Sequence, residues 1–424
     1  MSGTKAEPAF SRVFLLKRIW ILSEHYYPED AATGHILAKI GEGLTDQYQV
    51  NVITAQPTYH HRGVKAPAHE VHEGVSIYRC RSTNFDRNVI WKRLINVVSI
   101  SVSIFVTALW RIGRGDAVLV VTNPPLLPFL TLLAARLRRA RICLLVHDVY
   151  PEVVIASGVA GEDSTVVKLT RWANQKLYRA MDQIVVLGRD MKQLALEKMG
   201  SEAHATDIVS IIPNWADVDL VNPADRTANE LLAELGLQDK FVIQYAGNMG
   251  YVHDVETIVA AAVVLRDNPR VHFLFIGSGA KQGWLEQEIE KHGLSNITKI
   301  GQQPRSEQND FLNACDIAIM ALLPGMLGVS VPSRSYNILA AGKPILAVLD
   351  SRAEIALVID EEDVGWVVEP QNPEMLVKTI LDISEHPDAA VTMGKVARSV
   401  AESKYTAGHA LEKFRKIFAQ LTIG

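Results

Sequence analysis

Short apolar runs rich in β-branched residues recur along this chain, and a longer stretch with apolar residues at helical spacing follows most of them. The first series is RIWILS (18–23), QVNVIT (49–54), DAVLVVT (116–122), RICLLVH (141–147), DQIVVL (182–187) and IVSIIP (208–213). None of these runs alternates apolar with polar residues. Strands covered on both faces read this way, which implies parallel sheets sandwiched between helices. The rhythm then restarts with FVIQYAG (241–247), VHFLFIG (271–277), ITKIG (297–301), DIAIMA (316–321), PILAV (344–348) and GWVVE (365–369). Between the two series lies NWADVDLVNPADRTANELLAELGLQDK, polar and interrupted by a proline. The pattern predicts an α/β protein of two Rossmann-like doubly wound domains, residues 1–222 and 223–424, facing each other across a cleft. The last helix is placed to pack back on the first domain. In open sheets of this kind, ligands bind beyond the carboxyl ends of the strands.

Composition narrows the function. The chain has 424 residues, 48% hydrophobic and 21% charged, enough for two such cores. A net charge of −4 gives no global footprint for nucleic acid. Cys80, Cys143 and Cys315 sit far apart in apolar runs without CxxC spacing, as buried thiols of a reducing compartment do. Lys17 and Arg18 interrupt the apolar stretch near the N-terminus, and no small-residue cleavage site follows, so a cytoplasmic protein is expected. No Asp pair flags a metal site near a strand end, and neither a catalytic metal nor a cofactor is expected.

Two strands of the second series run straight into glycine. FVIQYAGNMG carries Gly247 and Gly250, and VHFLFIGSGA carries Gly277 and Gly279. Glycine after a strand lets backbone N–H groups approach an anion. No GxGxxG opens the first strand, which argues against a dinucleotide oxidoreductase. Further on, VPSRSYNILAAGKPI places Arg334 at the start of a short helical turn that Gly342 and Pro344 end. A guanidinium there can grip phosphate oxygens bidentately. Asn337 follows one turn later on the same face, where its amide can meet a sugar hydroxyl.

With these motifs in place, residues from about 18 to 420 resemble a family 4 retaining glycosyltransferase of the two-Rossmann B-type (GT-B) fold. The subgroup most similar builds bacterial capsule, O-antigen and colanic-acid polysaccharides. The resemblance rests on IPNWADVDLVNP, GNMGYVHDVETIVAAA, the run from IGSGAKQGWLEQEIEKHGL to DIAIMAL, VPSRSYNILAAGKPI, and HDVYPE after a strand of the first series. It implies transfer of a sugar from a nucleotide donor, a UDP-sugar ahead of a GDP-sugar, to a lipid-linked or soluble glycan. It implies that Arg334 contacts the diphosphate and Asn337 the ribose, and that Gly247 and Asn248 face the diphosphate. Gly301 to Arg305, with Gln303, stands near the base. Gly277, Gly279, Ser330, Ser333 and Gly34 complete the expected donor site. Val329 stands where many relatives carry a Glu that touches the donor sugar. Asn248 and His253 occupy places where many relatives have Arg and Lys.

The first half supplies the expected acceptor side. Glu24, His25 and Tyr26 follow the first strand and are candidates for acceptor contacts, although the tyrosine packs equally well in a core. His147 and Asp148 end a buried strand, where a functional group in such a sheet belongs. Two other readings share the architecture: a non-hydrolysing nucleotide-sugar 2-epimerase, and a non-catalytic sugar-nucleotide-binding protein. A membrane surface is also expected. Between Arg79 and Arg141 there are eleven Lys/Arg and two Asp/Glu. Within that span an apolar core from Leu94 to Trp110 is flanked by Trp91, Lys92, Arg93, Arg111 and Arg114. On a helix Asn96, Ser99, Ser103 and Thr107 form one polar stripe. LLPFLTLLAARLRRAR (126–141) adds a second apolar stretch ending in four arginines. Such a segment suits an anionic inner leaflet as a peripheral, in-plane helix.

Overall fold

The computed structural model describes residues 17–29, 31–57, 65–85, 89–200 and 205–422. Among these residues, eight strands form the first sheet: β1 (Arg18–Leu22), β2 (Gln49–Ala55), β3 (His69–His72), β4 (Val75–Cys80), β5 (Ala117–Val121), β6 (Arg141–Leu145), β7 (Gln183–Val186) and β8 (Val209–Ile211). Their order is β3-β4-β2-β1-β5-β6-β7-β8. Among the described strands only β3 is antiparallel to its neighbour. Six strands form the second sheet: β9 (Phe241–Ala246), β10 (Val271–Ile276), β11 (Ile297–Ile300), β12 (Ile317–Ala321), β13 (Ile345–Val348) and β14 (Gly365–Val368). Their order is β11-β10-β9-β12-β13-β14, and every pairing is parallel.

All twelve strands expected from the apolar runs are present, and two were missed. The hairpin of β3 and β4 turns at Glu73 and Gly74, both at positive φ. Its strand HEVH is an exposed edge with half-polar composition, so it gives no apolar run. The central strands are mostly apolar because helices cover both faces. Every residue of β5 and of β10 is buried.

The chain passes from one sheet to the other through residues 212–224 and returns near its end. The Ala216 N–H donates to the Tyr405 carbonyl at 2.7 Å where the two crossings meet. The last helix, Ala407–Thr422, then packs on the first domain, burying Phe414 and Phe418. Arg415 donates from there to the Gly43 carbonyl at 2.8 Å.

Helix Ile90–Arg111 is turned in an unusual direction. Its polar stripe faces the protein. Asn96 accepts from the Thr83 hydroxyl at 2.9 Å, Ser99 accepts the Thr83 N–H at 3.1 Å, and Thr107 lies 3.2 Å from the Cys80 sulfur. Ile100, Ile104 and Ala108 pack in the core. Seven of its other apolar side chains face outward: Trp91, Leu94, Ile95, Val98, Val102, Val106 and Trp110 are all exposed, Trp110 to 84%, while Phe105 and Leu109 pack against the core.

Candidate functional site

The two sheets present their carboxyl ends to a shared cavity of about 410 Å³. The first domain contributes Ala31, Ala32 and His35 from beyond β1, and the crossing adds Asn214, Trp215 and Asp217. The second domain contributes Gly247 and Asn248 after β9, Gly277 and Ser278 after β10, Gln303 and Arg305 after β11, and Ser333, Arg334 and Asn337. Eight of the expected donor-site residues therefore meet in one place, although 90 positions separate Gly247 from Asn337 in the chain.

Arg334 opens the helix Arg334–Ala340. Its guanidinium carbon lies 4.4 Å over the Tyr245 ring. One terminal nitrogen donates to the Ala246 carbonyl at 3.2 Å, and the other donates to the Tyr245 hydroxyl at 3.0 Å. That hydroxyl donates in turn to the Asn248 carbonyl at 2.8 Å. A guanidinium has five N–H groups, so the stack and two tethers fix the fork while leaving donors for a ligand.

The glycines work differently from the expectation. The Gly247 N–H donates to Ile276 and the Gly277 N–H to Ile300, so both amides are spent on sheet hydrogen bonds rather than held free for an anion. What glycine supplies is approach. Gly277 has φ +134°, and a Cβ there would lie 2.2 Å from the Gly247 carbonyl oxygen. At Gly247 a Cβ would lie 2.9 Å from Arg334 Nη1. Bare backbone thus lets two strand ends and the guanidinium converge. Gly279 lies outside the lining and packs against the Met249 backbone.

Asn337 offers less than a free carboxamide. Its Oδ1 accepts the Asp217 N–H at 2.8 Å, which leaves the NH2 for a ligand. Arg305 is half committed as well, 3.5 Å from Asp217, so it is not a free partner of Arg334. His253 is no cation. Burial, with Arg334 nearby, pushes its pKa down to about 3, and its Nδ1 accepts the Gly250 N–H at 3.1 Å. It braces the glycine loop.

None of the first-domain residues expected at the site lines this cavity. His147 and Asp148 follow β6, and the backbone N–H of each donates to the Thr122 hydroxyl at 3.2 Å. His147 Nδ1 lies 3.3 Å from the Thr33 hydroxyl, and its Nε2 is buried without a hydrogen-bond partner among the described residues. Burial lowers the His147 pKa to about 4, so the ring is neutral at pH 7. Burial raises that of Asp148. The next residue, Val149, donates its N–H to the Val329 carbonyl at 3.0 Å, which brings this turn against the loop that carries Val329 and the half-buried Ser330.

Tyr26 is corrected from acceptor contact to core residue. It is 3% exposed, and its hydroxyl faces Gly41, where a Cβ would lie 2.4 Å away. Gly34 serves close approach too, since a Cβ there would be 3.1 Å from the Glu29 carbonyl. Glu24 and His25 are half-buried at the end of β1, and the Glu24 carbonyl accepts from Ala55 and Thr54 of β2. His35 and Asp217 were not foreseen as site residues. The motif IPNWADVDLVNP contains Asp217, but nothing in the spacing shows that the crossing folds into the cavity.

The sequence matches the model of the glycosyl transferases group 1 family over residues 228–400 and that of the glycosyl transferase 4-like domain over residues 33–215. It is 37% identical over 308 residues to "Probable glycosyltransferase WbjE" of Pseudomonas aeruginosa, covering 72% of this chain and 74% of that one. The chain belongs to the family 4 glycosyltransferases. The enzyme is also 27% identical over 410 residues to the "Putative colanic acid biosynthesis glycosyl transferase WcaI" of Escherichia coli K12, covering 94% and 98% of the two chains. Its GT-B architecture is that of sucrose-phosphate synthase from Thermosynechococcus elongatus, with a TM-score of 0.76 at 18% identity over 96% of this chain and 99% of that one. Anabaena HepE, solved in complex with UDP-glucose, superposes with a TM-score of 0.70 at 15% identity over 95% and 99% of the chains.

Proposed function

We propose that the enzyme moves a sugar from a nucleotide-sugar to a lipid-linked glycan, with retention at the anomeric carbon, during synthesis of a bacterial surface polysaccharide. The observation that carries the donor half is the convergence of Arg334 with the bare backbone of Gly247 and Gly277 in a cavity that Asn337 also lines. HepE binds UDP-glucose on the same fold, and a UDP-sugar is the donor we assign first, a GDP-sugar second. The pathway follows the colanic acid role in the WcaI name. Arg334 meets charge as it develops on the leaving diphosphate, and the cleft holds donor and acceptor in reacting geometry. The departing phosphate oxygen takes the acceptor proton on the same face of the sugar, so no strong protein base is needed. Neutral His147, with its free Nε2, orients a sugar hydroxyl. No catalytic metal is invoked.

The acceptor half rests on helix Ile90–Arg111. Apolar side chains facing outward, with the polar stripe spent inside, are costly in water and suited to a lipid interface. By length and hydropathy the stretch Trp91–Arg111 also passes as a membrane span, yet its inner face packs on the first sheet and the next helix. We therefore place it in the plane of the bilayer. Neighbouring helices continue the surface, with Leu133 and Leu137 on one and Val166, Leu169 and Trp172 on the next, all exposed. This reading puts the enzyme on the cytoplasmic face of an anionic membrane.

The test is nucleotide release from UDP-, GDP- and dTDP-sugars with and without a bacterial lipid extract, with the product anomer read by NMR. Release that depends on the lipid extract, with retained configuration, is expected. Conversion of the sugar-nucleotide to its C2 epimer, or binding without turnover under every condition, overturns the reading. Family membership favours neither of those outcomes.

A further inference from the structure

The segment from Leu322 to Ser333 carries the chain from the carboxyl end of β12 to the helix of Arg334. Its last residue, Ser333, lines the cavity beside Arg334, and its Val329 meets the His147–Val149 turn. Two of its ties come from the opposite domain. One is the Val149–Val329 hydrogen bond described above. In the other, the Gly328 N–H donates to Asp190 Oδ2 at 3.1 Å. Gly328 has φ +71°, and a Cβ there would lie 2.8 Å from the Asp190 carbonyl oxygen. The loop and the helix Arg189–Met199 are therefore in close contact at this point.

Asp190 accepts three backbone N–H groups, those of Met191, Gly328 and, from the second domain, Glu354. Its Oδ1 accepts the Met191 N–H at 2.7 Å in the first turn of its own helix, while Oδ2 reaches across to Gly328. Beside it the contact runs in the reverse direction. Glu354 of the second domain, its side chain 8% exposed, accepts from the Arg189 backbone N–H at 2.6 Å and from Arg189 Nε at 3.0 Å. Gly188 makes room, since a Cβ there would lie 2.6 Å from that of Glu354. Each domain thus inserts a carboxylate at the start of a helix or loop of the other. Shielded carboxylates persist when N–H donors satisfy them, and they hold geometry tightly.

We propose that Asp190 is a positioning residue for sugar transfer: through Gly328 it fixes the Leu322–Ser333 loop against the sugar end of the donor while the two domains are closed. The proposal rests on the nucleotide-sugar reading above. Opening the cleft breaks the Asp190–Gly328 and Val149–Val329 ties together. The groups assigned to the nucleotide (Arg334, Asn337 and Gly247) hold their places through Tyr245, Ala246 and Asp217 instead. Binding of the nucleotide and placement of the sugar are therefore separable.

The experiment uses Asp190→Asn in the full chain. The carboxamide oxygen can keep the Met191 N–H, but its NH2 cannot accept from Gly328. A melting temperature lowered by a few degrees at most, UDP affinity within about twofold of wild type, and kcat lower by about tenfold or more are expected, with donor KM moving less. Hydrogen exchange at the Gly328 amide should also quicken. Unchanged kcat with faster exchange overturns the positioning role. Equal losses in UDP affinity and kcat overturn it too, because they mark a purely structural residue. If the wild-type enzyme releases nucleotide from no sugar donor, the donor reading has failed. The clasp itself then falls if Gly328 exchanges equally fast in both proteins.

Discussion

Asn337 Oδ1 accepts the backbone N–H of Asp217 at 2.8 Å, so a residue of the donor helix holds the crossing between the two domains. The same side chain that we assign to a ribose also sets where Asp217 stands, and Asp217 in turn lies 3.5 Å from Arg305 and 4.0 Å from His35. Asn337→Ala should raise donor KM more than it lowers kcat, because a ribose contact is felt equally in the ground and transition states. It should also cost about 1 kcal/mol of stability by leaving the Asp217 N–H without its partner. Steady-state kinetics with thermal unfolding checks both. A fall in kcat alone places Asn337 at the chemistry instead.

Replacing Arg334 tests the diphosphate role. Arg334→Ala should lose about 2–4 kcal/mol of transition-state stabilisation, seen in kcat/KM. Arg334→Lys should recover little of it, because an ammonium cannot span the Ala246 carbonyl and the Tyr245 hydroxyl while lying flat on the ring. A lysine variant with wild-type kcat/KM refutes the fork geometry.

Gly277→Ala should abolish nucleotide binding and destabilise the second domain. The added methyl meets the Gly247 carbonyl oxygen at 2.2 Å, at a φ of +134° that L-residues rarely adopt. Gly283→Ala is the control, since no atom lies within 4 Å of the new methyl. Calorimetry with UDP titration separates the two.

Acid should weaken the fold over a defined window. Burial depresses His147 and His272 from an ordinary 6.5 to about 4, and burial together with Arg334 takes His253 to about 3. The unfolded chain binds protons at these rings from about pH 6.5 downward, and the folded chain does not until about pH 4. The stability of the neutral folded rings is thus full above pH 6.5 and is lost as pH falls towards 4. Melting temperatures across pH 4–7 should show this slope, and His272→Gln should flatten it in part. Because His147 is already neutral, its titration should add no limb to the rate profile near pH 6.5.

Membrane binding should depend on both halves of the helix surface. Wild-type enzyme should sediment with anionic vesicles and be partly released by high salt, since basic residues near such a surface contribute about 1 kcal/mol each. Replacing Lys92, Arg93 and Arg114 by Gln should weaken binding. Arg111 is left in place because its guanidinium stacks 3.7 Å over Tyr78. Trp91→Ser with Trp110→Ser should weaken binding even at low salt. If wild-type protein ignores anionic vesicles at low salt, the surface is not a lipid interface.

The sequence alone determined twelve of the parallel strands, because a strand covered on both faces is mostly apolar and that pattern is local. It also determined which glycine loops and which short helix bring Arg334 and Asn337 to the cleft, since strand ends and helix starts are written in neighbouring residues. Only the tertiary structure decided what those groups are left free to do. The amides of Gly247 and Gly277 are spent on Ile276 and Ile300, Asn337 Oδ1 is spent on Asp217, and Arg305 leans on the same residue. Tyr26 turned into the core while the polar stripe of Asn96, Ser99 and Thr107 turned inward. Hydrogen bonds between residues dozens of positions apart leave no periodicity in a sequence, and the direction a helix faces depends on which partner satisfies its polar groups.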